Sequence, residues 1–150
     1  MRMDVENTYR SSKTAVFPGR YDSLTRIVDF VTAAAETAGL NAHDVQAVQL
    51  AVDEACSNII QHAYGGEGRG DIECTCCIGT EGLTMTLTDH GASFNPDNVP
   101  APDLCADLEG RMEGGLGIFI MRKMMDEIRF AFAPESGNVL TMVKRREISG

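Results

Sequence analysis

The chain has 150 residues, enough for one domain with a core of its own, and carries 22 acidic against 13 basic residues for a formal charge of -9. Such a balance disfavours nucleic-acid phosphates and acidic lipid as partners, and no run of 18 or more apolar residues offers a membrane-spanning helix. Met1 to Ser12 is polar and lacks the apolar stretch of a secretory signal, so a cytoplasmic location is expected.

From the N-terminus, residues 1–12 read as frayed and Lys13 to Phe17 as an edge strand, ended by Pro18-Gly19. Leu24, Ile27, Val28, Val31, Ala34, Ala35 and Ala38 recur at helical spacing, and Gly39 stands where helices stop. Asn41 can cap a second helix, with Asp44 in the reciprocal capping place. Its stripe of Val45, Val48, Val52, Ala55, Ile59 and Ala63 runs on to Tyr64. Ile72 to Ile78 and Leu83 to Leu87 alternate at period two and form a hairpin. Cys74 and Cys76 fall on one strand face and Cys77 on the other, as buried, reduced small hydrophobes.

Residues 92–114 contain Pro96, Pro100 and Pro102 and few apolar residues, the composition of a lid, with a short helix expected from Asp103 to Glu109. Leu116 to Met125 reads as a buried helix, Ile128, Phe130 and Phe132 as a strand, Pro134 to Asn138 as a turn and Val139 to Arg145 as the last strand. Lys144-Arg145-Arg146 reads as a solvated strand end. The order β-α-α-β-β-lid-α-β-β favours a single-domain two-layer α/β (α+β) sandwich over residues 1–150, with a mixed, largely antiparallel sheet and helices on one face.

Three motifs carry chemistry. Glu54 and Asn58 are four residues apart and share a helix face. A carboxylate there can take a proton from a hydroxyl, and an amide oxygen can ligate Mg²⁺ without adding charge; a solvated helix flank is the bland alternative. Asp89 closes an alternating strand and can accept the amino proton of adenine, while Gly91 lets a base approach the backbone. Phe94 serves equally as core or as an adenine contact. Gly114, Gly115, Leu116 and Gly117 open the third helix, whose N-terminal amides and positive dipole end suit phosphate. Arg111 could reach a terminal phosphate, or simply be an exposed loop arginine. The glycines fit neither the P-loop nor the dinucleotide fingerprint.

In this order and spacing the motifs resemble those of the ATPase superfamily that unites gyrase, histidine kinases and MutL. Glu54/Asn58 looks like its N box, Asp89-x-Gly91 its first glycine box and Gly115-x-Gly117 its second. Glu-Ala-x-x-Asn-x-x-x-His-Ala-Tyr, Asp-x-Gly-x-x-Phe-x-Pro, Glu-Gly-Gly-Leu-Gly-Ile and Met-Met-Asp126 are similar to the anti-sigma factors that are also serine-protein kinases. The resemblance implies a Bergerat-type fold binding Mg-ATP. It implies a homodimer that sequesters a sigma factor and phosphorylates a Ser or Thr on a STAS-type anti-anti-sigma protein. It assigns Glu54 as general base, Asn58 as Mg²⁺ ligand, Asp89 as adenine reader, Gly91 beside the base, and Gly115 and Gly117 beside the phosphates. Asn95 stands where relatives often have Asp. The alternatives within reach of the same residues are a switch kinase acting on a signalling scaffold and a catalytically silent ATP-binding module.

Overall fold

Strand alternation builds a sheet with one apolar face, and the helices lie on it. In the computed structural model, which describes residues 9–93 and 115–147, five strands form one sheet in the order β1-β2-β3-β5-β4. These are β1 (Tyr9–Pro18), β2 (Asp71–Gly79), β3 (Gly82–Asp89), β4 (Glu127–Ala133) and β5 (Gly137–Arg145). Every pairing among them is antiparallel, so the mixed component expected from the sequence is absent from the described strands. β1 begins at Tyr9, ahead of the expected Lys13.

The helices are α1 (Leu24–Thr37), α2 (Ala42–Asn58) and α3 (Gly115–Met124), and none of the described ones is long and apolar enough to cross a membrane. α2 lies in the middle, packed against α1 on one side and α3 on the other. The core is the layer between: Ile27 and Val31 of α1, Val48, Val52 and Cys56 of α2, and Met121 of α3 meet Ile72, Leu83, Met85, Leu87 and Met142 of the sheet. Cys74 and Cys76 face this layer and are buried with them, while Cys77 lies on the opposite face, as the alternation requires. Burying each large aliphatic side chain contributes roughly 1.5–3 kcal/mol, so this layer dominates the stability of the sandwich.

Local chemistry fixes the helix ends. Asn41 Oδ1 accepts the Asp44 amide at 2.8 Å, the expected cap. Asp44's carboxylate does not reciprocate but lies 3.8 Å from Lys144 Nζ. Lys144 Nζ in turn donates to the Met124 carbonyl at 2.7 Å, satisfying an otherwise open acceptor at the end of α3. The basic cluster is therefore not a solvated strand end. Lys144 is in phase with Leu140 and Met142 and so faces the helices, and Arg146 donates to Ala38 and Thr80 carbonyls.

The stripe that runs to Tyr64 is not all α-helix. From Ile59 to Ala63 the chain widens into a π-helical turn, and the Tyr64 amide closes it on the Ile59 carbonyl at 2.9 Å. Such turns are rare and cluster at functional sites. This one sets Tyr64 over a shelf of glycine. A Cβ on Gly70 would lie 2.3 Å from the Tyr64 ring, so only glycine admits it.

Candidate functional site

The three motifs meet along one side of α2. Gly117 sits in the first turn of α3, where that helix crosses α2. A Cβ built on it would lie 3.1 Å from Asn58 Nδ2, 3.2 Å from Glu54 Oε2 and 3.3 Å from Asn58 Oδ1. The missing side chain leaves the acid/amide pair beside the opening turn of a helix, whose first N–H groups have no partner within the helix. Burial, and secondarily the neighbouring Asp53 carboxylate, raises the Glu54 pKa above its ordinary value. A base is more useful with a proton affinity nearer neutrality.

One turn further along α2, a cleft opens between the helices and the end of the sheet. Asn58, Ile59, His62, Ala63 and Met121 line one wall; Asp89, Phe130, Asn138 and Leu140 line the other. Its empty volume, mouth included, is about 520 Å³. Apolar walls with one acid at the base suit a flat heteroaromatic ring. Asp89 is 3% exposed, the last residue of β3 and in phase with Leu83, Met85 and Leu87. Its Oδ1 accepts the Gly91 amide at 2.9 Å and Asn138 Nδ2 at 2.9 Å, which compensates the burial of its charge.

The loop after Asp89 is anchored to the π turn. Tyr64 Oη donates to the Asp71 carbonyl at 2.6 Å and accepts the His90 amide at 3.0 Å. The Ala92 amide donates to the Ala63 carbonyl at 2.8 Å. A Cβ on Gly91 would stand 2.4 Å from that same carbonyl oxygen, so what this glycine admits is the backbone of Ala63. Asp126, the end of the Met-Met-Asp motif, accepts the Arg145 amide at 2.7 Å and starts β4 from β5.

Glu54, Asn58 and Gly117 are thus brought together, and Asp89 borders the cleft that Asn58 also lines, whereas Gly91 packs on the Ala63 backbone instead of lining the cleft. Gly115 begins α3, and Leu116, next in the chain, is half-buried. Phe94, Arg111, Gly114 and almost all of the expected lid at 92–114, including the short helix from Asp103, lie outside the described residues. Asn138 is a polar pocket residue missed from sequence, where it reads as part of a turn. Its signal is parity: it alternates in phase with Leu140 and Met142 and pairs directly with Asp89.

A family model for the histidine kinase-like ATPase domain matches residues 17–144. The chain is 30% identical over 129 residues to Serine-protein kinase RsbW of Bacillus velezensis, covering 83% of this chain and 78% of that protein. It is 29% identical over 125 residues to Serine-protein kinase RsbW of Listeria monocytogenes, covering 81% and 78%. To the protein of the same name from Halalkalibacterium halodurans it is 31% identical over 118 residues, covering 76% and 70%. With a match that takes in β2 to β4, nearly all of β5, all three described helices and the cleft between them, the chain belongs to the histidine kinase-like ATPase domain family.

Proposed function

We propose that this chain is an ATP-dependent serine-protein kinase of the anti-sigma type, which holds a sigma factor and phosphorylates a Ser or Thr on a STAS-type anti-anti-sigma protein. The observation that carries the reading is the seating of α3's first turn on Glu54 and Asn58, with the Asp89 cleft one turn away along the same helix. The adenine ring would enter that cleft with its amino group toward Asp89. The phosphates would follow α2 to the N-terminal amides of α3, at Gly115, Leu116 and Gly117, which offset their charge.

The donor set fits Mg²⁺ arriving with the nucleotide. Among the described residues no three His, Cys, Asp or Glu side chains form a metal cage. A single neutral amide oxygen at Asn58, beside phosphate oxygens and water, is the sparse protein contribution that Mg²⁺ usually takes. When bound there, the ion would supply neutralisation of the phosphate charge, with Asn58 as the residue that holds it. Glu54 accepts the proton of the partner's hydroxyl as that oxygen attacks, and its raised proton affinity suits the role.

Product release has an electrostatic basis. The transferred phosphate adds about -1.5 to -2 charges to the partner, which then faces a protein of formal charge -9. The same superfamily reading makes the protein a homodimer working in the cytoplasm. The test is transfer of labelled γ-phosphate from Mg-ATP to a purified STAS-type protein, with the modified residue identified by mass spectrometry. Transfer in the wild type and its loss in Glu54→Gln, with ATP binding retained, is the expected result. ATP binding without transfer would instead assign a silent module. Transfer to a large scaffold protein alone would assign a switch kinase.

A further inference from the structure

The hydrogen bonds that the described residues donate to Asp89 all fall on one of its two oxygens. Asn138, its direct cross-strand partner, donates Nδ2 to Asp89 Oδ1 at 2.9 Å, and the Gly91 amide reaches the same oxygen at 2.9 Å. A carboxylate oxygen has two lone pairs. Both of those on Oδ1 are engaged, in a side chain almost removed from water. Oδ2 takes no hydrogen bond from the described residues and is the oxygen left for a ligand.

The Asn138 amide cannot turn its other face to Asp89. Nδ2 also donates to the Ala92 carbonyl at 2.9 Å and lies 3.4 Å from the Gly91 carbonyl. A flipped amide would set its own oxygen against a carboxylate and two carbonyls.

Which oxygens are free decides which purine is read. Guanine presents two adjacent donors, N1–H and the 2-amino group, and a carboxylate grips both only if both oxygens are open. Adenine presents one donor, the 6-amino group, next to N1, an acceptor that repels a second carboxylate oxygen. We propose that Asn138 is a specificity-determining residue for the nucleotide: by occupying Oδ1 across the strand pair, it makes Asp89 a one-oxygen acceptor that suits adenine and rejects guanine. The proposal rests on the nucleotide-binding reading given above and names how that site chooses its base.

The test compares Asn138→Thr with Asn138→Val, two β-branched side chains of nearly one shape that suit a strand and differ in the donor hydroxyl. Calorimetric titration with Mg-ATP and Mg-GTP gives the preference of each. The wild type and Asn138→Thr are expected to keep the preference for ATP. Asn138→Val frees Oδ1, and its ATP-to-GTP preference should fall about tenfold or more, largely through tighter GTP binding. Equal preferences in the Thr and Val variants, with ATP still bound, would overturn the proposal. A wild type that binds neither nucleotide would overturn the underlying site reading instead.

Discussion

Gly117→Ala separates stability from activity in a single methyl group. The added Cβ would lie between 3.1 and 3.3 Å from Asn58 Nδ2, Glu54 Oε2 and Asn58 Oδ1. These are the far ends of two half-buried side chains rather than backbone, so they can retreat by a few tenths of an ångström. The structural cost is then small. Against it stands the helix propensity of alanine, about 1 kcal/mol better than glycine in a helix interior and less in a first turn. The variant should be as stable as the wild type or more so, with Tm unchanged or raised by roughly 1–3 °C. Phosphotransfer should nonetheless fall about tenfold or more. The methyl group displaces the proposed general base and the proposed Mg²⁺ ligand together, and misplacement by about 1 Å can cost a hundredfold. Urea unfolding and a labelled-phosphate assay on the same preparation test both halves. A variant with full phosphotransfer would refute the assignment of this contact to the active centre. Activity lost only in proportion to lost stability would refute the reasoning about the helix.

Further outcomes are expected from the geometry. Glu54→Gln should lower phosphotransfer by roughly 10²–10⁴-fold with ATP affinity retained. The wild-type rate should fall on acidification with a midpoint above the ordinary glutamate value, because burial and Asp53 raise the Glu54 pKa. A raised carboxyl pKa favours the protonated form in the folded state, so ionised Glu54 costs stability as pH rises through it. Glu54→Gln should therefore melt higher than wild type at pH 7 and not at pH 4, as read by calorimetry. Tyr64→Phe removes the hydrogen bonds to the Asp71 carbonyl and from the His90 amide, costing roughly 1–3 kcal/mol in urea unfolding. It should also weaken nucleotide binding, since His90 adjoins Asp89. Lys144→Met removes the donor to the Met124 carbonyl and the ion pair with Asp44, costing roughly 1.5–3 kcal/mol and lowering Tm by about 4–10 °C.

Much of the fold was legible because its signals are periodic. Alternation in residues 72–78 and 83–87 gave the hairpin and the buried face, and parity alone put Asp89 at the inner end of β3. The i, i+4 rule placed Glu54 and Asn58 together on α2, where the structure has them beside Gly117. What escaped was non-periodic or long-range. The π turn at Ile59–Ala63 leaves local composition unchanged, so the apolar stripe reads as plain α-helix to its end. Gly137-Asn138 has turn chemistry, and its pairing with Asp89 overrode it by extending β5 to Gly137. Lys144 reads as solvated because lysine usually is. The open carbonyl at the end of α3, distant in sequence, is what draws its ammonium under the helices.

The π turn also makes chain length itself part of the site. It stores one residue more than an α-helix of the same span would need, and the chain beyond it is aimed accordingly. Because the turn already holds a spare residue, deleting one from 60 to 63 would let it close as plain α-helix with the Tyr64 amide still on the Ile59 carbonyl, and the chain beyond would keep its aim. An added residue finds no such slack: it would swing the downstream segment by about 100° and push it on by about 1.5 Å. The Tyr64 ring would then leave its glycine shelf, and the hydroxyl that pins the loop after Asp89 would go with it. The segment therefore tolerates the loss of a residue more readily than the gain of one.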